Sequence, residues 1–395
     1  MTTYAQHPPL LGTRDRLFTR PYTVLLFFAA LGIALIAWRF YAGLGASTAL
    51  TDGYPWGLWI AFDVVTGTAL ACGGYAMALL VYIFNKGKYH PLVRPAILTS
   101  ALGYSIAGLS VMIDVGRPWL AWKLPIKVWT WNVNSVLLEV ALCIMAYTVV
   151  LWIELSPAFF EKFKESGRPW LQSFSKKALK FFDKALIWII ALGMLLPTMH
   201  QSSLGSLMSL AGPRLHPLWN TGFLPLFYLI TCLAMGYAIV VLESAFSATA
   251  FGRKTEIRLL NSLGTFAAYG TLLFVVLRFI DLALRGRLGL LARFDLAGSL
   301  FWIETILFTA PLIVLLMKKG NASLGTLLRA AMLVAVAGAL YRFDTFLVAF
   351  DPGPGWHYFP SVTEQLITVG LVALELAAYV AIVKHFPILS GERND

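Results

Sequence analysis

The stretch FLPLFYLITCLAMGYAIVVLESAFSA, residues 223–248, decides the fold class of this chain. It contains one charged side chain, Glu243, near its C-terminal end. A helix of about 20 mostly apolar residues spans the hydrocarbon core of a bilayer, which is roughly 30 Å thick. The stretch therefore predicts a membrane-spanning helix that carries one carboxyl group.

Similar apolar stretches recur along all 395 residues. The chain is 58% hydrophobic and 13% charged with a mean hydropathy of +0.73, which is typical of membrane proteins and not of soluble domains. Stretches bounded by Gly, Pro, Asn and charged residues predict spans at 22–44, 54–84, 92–114, 133–153, 185–210, 223–248, 259–284, 296–317, 324–350 and 362–386.

We therefore expect an all-α integral membrane protein of about ten transmembrane helices, arranged as two four-helix bundles plus two additional helices. Residues 1–21 are expected to form a cytoplasmic N-terminal segment, residues 22–386 the polytopic transmembrane domain, and residues 387–395 a cytoplasmic tail.

The distribution of Lys and Arg predicts the orientation. The two termini and the loops after spans two, four, six and eight hold 20 of the 31 basic residues, counting Arg94 and Lys384 at the ends of spans three and ten, whereas the other five loops hold seven. Cytoplasmic loops carry the excess of Lys and Arg in membrane proteins. Both termini are therefore expected in the cytoplasm, and topology explains the net charge of +11 better than nucleic-acid binding does.

The three cysteines, Cys72, Cys143 and Cys232, lie far apart inside apolar runs and form no C-x-x-C pair. This spacing argues against a zinc site, an iron–sulfur cluster or a disulfide framework. We interpret them as small buried apolar residues.

Ionisable residues inside the predicted spans are unusually numerous. A charged side chain at bilayer depth costs at least ~2.5 kcal/mol, so it usually pairs with another charge or faces a water-filled path. The sequence offers Arg278 with Glu304 as one pair, and Arg342 with Asp63 or Asp344 as another. We expect a proton route along Asp63, Glu243, Arg278, Glu304, Arg342, Asp344 and Glu375.

Two polar motifs fall in the outer half of the predicted spans. The motif DVGR ends the third span with Asp114 and Arg117 three residues apart, a spacing that predicts an ion pair. The motif PTMHQSS, residues 197–203, begins with Pro197, which is expected to break the fifth span beside a cavity. A group of polar side chains beside an apolar leaflet suits a lipid-soluble ligand with a polar head group, such as a quinone. A His and an Asp could exchange protons with that head group.

From Tyr54 onward the sequence resembles the NrfD / polysulfide reductase C superfamily, and within it the HybB-type membrane subunits of hydrogenase-2-type nickel–iron hydrogenases. The similar segments are GYPWG at 53–57, ACGG at 71–74, YHPLVRPA at 89–96, DVGR at 114–117, NVNSVL at 132–137, LPTMHQSS at 196–203 and YFP at 358–360.

The resemblance implies a subunit of the bacterial inner membrane that does not itself react with H2. It would pass electrons from a periplasmic ferredoxin-like iron–sulfur subunit, and from the small and large hydrogenase subunits behind it, to bound menaquinone or ubiquinone. Quinone reduction could then be coupled to proton movement. Transferred by resemblance, the quinone-binding residues are Asp114, Arg117, His200, Gln201, Ser202, Asn134, Ser135 and Glu139. No catalytic residue for H2 and no metal ligand is assigned.

The positions of the histidines indicate whether this chain can bind a haem. Two axial histidines must face each other at a similar depth, and only His200 of the six lies well inside a predicted span. We therefore expect no haem and no iron–sulfur cluster in this chain. The alternative function is a secondary transporter or ion channel, because buried charges and helices broken by Pro also mark ion pathways. A membrane anchor without chemistry of its own is a third interpretation.

Overall fold

The computed structural model describes residues 17–293, 295–318 and 321–389. Most of the predicted N-terminal segment and the end of the predicted C-terminal tail, residues 1–16 and 390–395, lie outside this range. Within the described residues every element of secondary structure is helical and no β-strand occurs. The predicted all-α class is confirmed.

Ten long helices make up the described part of the chain. They are α1 Arg20–Ala42, α2 Trp59–Ile83, α3 Val93–Asp114, α4 Val136–Phe163, α5 Pro169–Leu210, α6 Leu224–Ala250, α7 Ile257–Leu284, α8 Leu296–Met317, α9 Leu324–Val348 and α10 Val362–His385. All except α5 are long and apolar enough along their length to cross a membrane, which gives nine such helices among the described residues. The 42-residue α5 contains the predicted fifth span in its C-terminal part.

The helices pack as two bundles and a pair. In the first bundle α2, α3, α4 and α5 each contact the next, and α5 returns to α2. Helices α6, α7, α8 and α9 form the second bundle in the same way, while α1 packs along α10. Contacts of α6 with α2 and α5 join the two bundles. This is the predicted arrangement of two four-helix bundles plus two additional helices.

The α1–α10 pair depends on two glycines. A Cβ atom added to Gly370 would lie 2.5 Å from the Cα of Gly32, which is closer than any real contact. Small residues at a helix crossing allow backbones to approach in a membrane, where van der Waals packing replaces the hydrophobic effect as the attraction between helices.

Replacing Gly370 by Leu should separate α1 from α10 and lower the free energy of unfolding by about 1–3 kcal/mol, the usual cost of overpacking. Titration of the purified protein with a denaturing detergent measures this change. The matched control is Gly108→Leu, because a Cβ atom at Gly108 on α3 meets nothing within 4 Å. Equal stability of the two variants would contradict the proposed crossing.

Three π-helical turns interrupt the regular helices, at Trp59–Thr66 and Leu79–Ile83 in α2 and at Asp344–Val348 in α9. Turns of this kind are rare in proteins as a whole, and those that occur are frequently found at functional sites. They hold two buried carboxyl groups, those of Asp63 and Asp344.

The predicted break at Pro197 is wrong, because α5 continues through this residue to Leu210. Proline within a membrane helix is tolerated where nearby hydroxyl groups supply additional hydrogen bonds. Here the Thr198 hydroxyl donates to the Met194 carbonyl at 2.7 Å, and the Ser202 hydroxyl donates to the Thr198 carbonyl at 2.9 Å.

Candidate functional site

We call the end of the helices that carries Asp114 the outer end. Asp114 is the last residue of α3, and its Oδ1 is buried without a hydrogen-bond partner. Beside it lies Arg39 of α1, whose Nη2 donates to the Val115 carbonyl at 2.7 Å and whose Nε has no partner. The indole Nε1 of Trp59, which packs in one apolar cluster with Ile113, is also buried without a partner. These unpartnered donors and this acceptor can bind a polar ligand group.

The predicted pair of Asp114 with Arg117 is wrong. Helix α3 stops at Asp114, and Val115 adopts an extended conformation, so the spacing of three residues no longer places the two side chains on one helical face. Arg117 is exposed and forms no ion pair with any residue that the structure describes. The cation beside Asp114 is Arg39, which the sequence shows as a charge within the first span but which belongs to neither polar motif.

A network of hydrogen bonds at the outer end is centred on Glu364, a fully buried residue of α10. Its carboxylate accepts hydrogen bonds from the backbone N–H groups of Ala49 and Ser361 and from the Tyr358 hydroxyl, at 2.9, 2.8 and 2.7 Å. The Tyr358 oxygen accepts in turn from the N–H of Leu58 at 2.7 Å. Burial, together with the hydrogen bond to Glu364, raises the pKa of Tyr358, so the phenol stays protonated and keeps donating.

His200 and Gln201 lie deeper and are both fully buried. The Thr68 hydroxyl donates to the Val64 carbonyl at 2.6 Å, so it can only accept from His200 Nε2 at 3.2 Å and Gln201 Nε2 at 3.1 Å. A threonine hydroxyl has one hydrogen and two lone pairs, which fixes the proton of His200 on Nε2. The Nδ1 of His200 is then a free acceptor, without a partner in the described structure.

The structure does not bring Asp114 and His200 together. The His200 ring packs edge-on against Tyr104 of α3, with ring centroids 5.7 Å apart. Asp114 follows Tyr104 by ten residues, a rise of ~15 Å along a helix. The predicted outer set is therefore divided into a site at the end of α3 and a packed cluster below it.

The other predicted quinone-binding residues lie in two places. The Ser202 hydroxyl is bonded to carbonyl groups of its own helix. Asn134 is exposed, Ser135 caps α4 by accepting from the Leu138 N–H at 3.4 Å, and Glu139 is half-buried in the first turn of that helix.

In the second bundle the predicted pair of Arg278 with Glu304 is confirmed. Arg278 Nη1 and Glu304 Oε2 are 2.5 Å apart, and both side chains are almost fully buried. The Trp219 indole donates to the second oxygen of Glu304 at 3.2 Å, and the Arg278 guanidinium lies 4.0 Å from the centroid of the Phe301 ring. Asp344 interacts electrostatically with Glu304, while its Oδ2 has no hydrogen-bond partner.

The predicted pairing of Arg342 with Asp63 or Asp344 is wrong. Arg342 is fully buried, and its Nη2 donates to the Tyr228 carbonyl at 2.8 Å. Its guanidinium stacks over the Tyr228 ring at 4.4 Å, and neither Nε nor Nη1 has a partner. A carbonyl and an aromatic face therefore take the place of a carboxylate.

The remaining predicted proton-route residues, Asp63, Glu243 and Glu375, line one cavity of about 530 Å³. This cavity is bounded by α1, α2, α3, α6 and α10. The predicted route is thus divided between a cavity beside the α1–α10 pair and the charged cluster inside the second bundle.

Comparison with known proteins agrees with this architecture. The family model described as "Polysulphide reductase, NrfD" matches residues 46–349, which is most of the chain. The chain belongs to the NrfD family. It is 42% identical over 398 aligned positions to the "Probable Ni/Fe-hydrogenase 2 b-type cytochrome subunit" of Escherichia coli (strain K12), covering 98% of this chain and 97% of that protein.

Two further relatives are named as subunits of other reductases. The "Menaquinone reductase, integral membrane subunit" of Nitratidesulfovibrio vulgaris is 28% identical over 269 positions, covering 65% of this chain and 62% of the relative. A selenate reductase subunit of Mesobacillus selenatarsenatis is 23% identical over 420 positions, covering 94% of this chain and 95% of the relative. Family membership and these relatives support a multi-span membrane subunit for electron transfer.

The comparison corrects the prediction that this chain contains no haem. The E. coli relative is named a b-type cytochrome subunit, and that name points to haem. The described residues do not form a recognisable haem site at the large cavity, since its wall contains no His, Met or Cys that could serve as an axial ligand. His200 is packed against Tyr104 and bonded to Thr68.

Proposed function

We propose that this NrfD-family protein transfers electrons from a peripheral iron–sulfur subunit to a quinone that binds at the outer end. The observation that carries the proposal is a set of buried, unpartnered polar atoms at the outer end: Oδ1 of Asp114, Nε of Arg39 beside it, and Nε1 of Trp59, which packs in one cluster with Ile113. The names of the E. coli and N. vulgaris relatives, a hydrogenase subunit and a menaquinone reductase subunit, support it.

Reduction of a quinone takes two electrons and two protons and gives a hydroquinone. A carboxyl group within hydrogen-bond reach of a quinone oxygen can supply one proton, and N–H groups can stabilise negative charge on that oxygen. Asp114 would be the proton donor, while Arg39 and Trp59 would bind the head group. Arg117, Asn134, Ser135 and Glu139 would belong to the rim of this site, and His200, Gln201 and Ser202 to the packed cluster below it.

The proposed assembly combines the nickel–iron hydrogenase in the name of the E. coli relative with the partners that the family resemblance implies. A periplasmic ferredoxin-like iron–sulfur subunit would dock at the outer end and receive electrons from the small and large subunits of a nickel–iron hydrogenase. The chain would lie in the bacterial inner membrane with both termini in the cytoplasm. Menaquinone or ubiquinone would be the substrate.

Proton coupling is a further part of the proposal. The cavity group, Asp63, Glu243 and Glu375, would be one segment of a proton route, and Arg278, Glu304, Arg342 and Asp344 would be another. Carboxyl groups held inside a membrane protein are typical of such relays. A transporter without redox chemistry is the competing function, and family membership disfavours it.

Removal of this chain from the assembled complex tests the proposal. Membranes that lack the chain should lose H2-dependent reduction of a menaquinone analogue, because the electrons no longer reach the quinone. Dye-linked hydrogenase activity should remain, since a soluble dye takes electrons from the peripheral subunits directly. Quinone reduction that persists without this chain would contradict the proposal.

A further inference from the structure

The cavity beside the α1–α10 pair is separate from the outer site. It has a volume of about 530 Å³, within the usual range of roughly 300–1,000 Å³ for small-molecule pockets. Leu25 of α1 and Glu375 and Tyr379 of α10 form one wall, and α2, α3 and α6 form the others. Helices α1 and α10 lie outside residues 46–349, so a part of the chain beyond the family match completes this pocket.

The cavity borders the lipid-facing surface. Its lining includes Phe246 of α6 and Val372 and Leu376 of α10, whose side chains are 56, 39 and 49% exposed. An opening between apolar side chains of two membrane-spanning helices admits a molecule from the bilayer more readily than one from water. The ligand that fits this opening is therefore lipid-soluble.

The cavity is lined by three carboxyl groups and by the hydroxyl groups of Thr99, Ser247 and Tyr379, of which that of Thr99 has no partner. Asp63 is 4% exposed, and its Oδ2 accepts from the Thr368 hydroxyl at 2.9 Å while its other oxygen has no partner among the described residues. Glu375 has no hydrogen bond to any described residue. Glu243 accepts from the Tyr379 hydroxyl and leaves its Oε2 unpartnered.

Charge restricts the ligand further. The lining contains three carboxyl groups and no Lys, Arg or His. A phosphate or carboxylate head group would be repelled if these acids are ionised. Arg253 lies outside the lining, where it donates to the Ser247 hydroxyl at 2.7 Å and interacts with Glu243, so an anionic head group would meet no cation in the lining itself. A neutral head group with hydroxyl donors can bond to free carboxyl oxygens in an apolar pocket.

We propose that this lateral cavity is a second binding site, for a neutral lipid-soluble ligand whose head group donates hydrogen bonds, by chemical class a hydroquinone. The hydroxyl groups of the head bond to Glu375 and Asp63, and the apolar tail leaves between α6 and α10. The choice of a hydroquinone rests on the proposed function, whereas the existence of the site rests on the cavity itself.

Binding of 2-heptyl-4-hydroxyquinoline N-oxide, a fluorescent hydroquinone analogue, tests the proposal on the purified full-length chain. Quenching of its fluorescence gives the number of sites. We expect two sites in the native protein and one in Val372→Phe, in which the larger ring fills the mouth of the cavity. The matched control is Val369→Phe, an exposed position on the same helix outside the lining, which should keep both sites.

A second variant tests whether the loss of a binding site in Val372→Phe results from misfolding. Glu375→Gln keeps the size of the side chain and should weaken the same site by about tenfold, with an unchanged thermal midpoint. Asp114→Asn should weaken the other site and leave this one intact. If Val372→Phe and Glu375→Gln both bind as the native protein does, the lateral site is overturned while the outer quinone site stands.

Competition with two different lipids tests whether the ligand of this site is a hydroquinone. Reduced short-chain menaquinone should displace the analogue from the site that Val372→Phe removes, and dioctanoylglycerol, a neutral lipid with one hydroxyl group, should not. Displacement by dioctanoylglycerol alone would overturn the hydroquinone assignment. If the native protein has one site and Val372→Phe removes it, the outer site at Asp114 is the assignment that fails.

Discussion

Asp114→Asn should lower H2-dependent quinone reduction by about 100-fold or more, the usual contribution of a positioned acid or base. The amide keeps the size of the side chain but cannot give up a proton to a quinone oxygen. Dye-linked activity of the assembled complex should be unchanged, because that reaction does not use the membrane site. The rates with dye and with quinone, measured on the same membranes, check both statements.

The matched control for this variant is Asp52→Asn, the same substitution at an exposed loop carboxylate with no hydrogen bond to a described residue. It should leave both rates unchanged. Quinone reduction at the native rate in Asp114→Asn would remove Asp114 from the site, and equal losses in the two variants would indicate a general effect of charge at the outer end.

Glu304→Leu should destabilise the protein by about 3–5 kcal/mol, because it leaves the Arg278 guanidinium buried and unpaired. The Trp219 indole would lose its acceptor as well. Free energies of unfolding from denaturing-detergent titration of the purified chain measure the change.

The double variant Arg278→Met, Glu304→Leu makes this test specific. Replacing both members of a buried ion pair by apolar residues is often close to neutral, so most of the lost stability should return. A double variant as unstable as Glu304→Leu would show that the pair is not the source of the effect.

The sequence predicts the fold well because the bilayer limits the choices. Each span must supply about 20 apolar residues and satisfy its own backbone, so hydropathy locates α1 to α10 with small errors at their ends. The long α5 departs from this rule, since it extends from the predicted fifth span back to Pro169 through a basic segment, and Pro197 does not end it.

The contacts between side chains are harder to predict, because they depend on how each helix is rotated. Arg278 meets Glu304 as expected, but Arg342 faces the Tyr228 carbonyl and ring. The sequence also gives no indication that Thr68 would fix the proton of His200. The cavity is beyond sequence analysis for the same reason, since five helices separated along the chain must meet to form it.

The contact between Gly32 and Gly370 also constrains how the protein is made. Gly32 lies in α1 and Gly370 in α10, so their crossing cannot form until α10 has been synthesised. At about 5–20 residues per second, the interval between the synthesis of Gly32 and that of Gly370 is on the order of tens of seconds. During that time α1 resides in the bilayer with its glycine face unmatched, and arrival of α10 completes both the helix pair and the wall of the lateral cavity. Assembly of that wall therefore follows the insertion of α1 to α9.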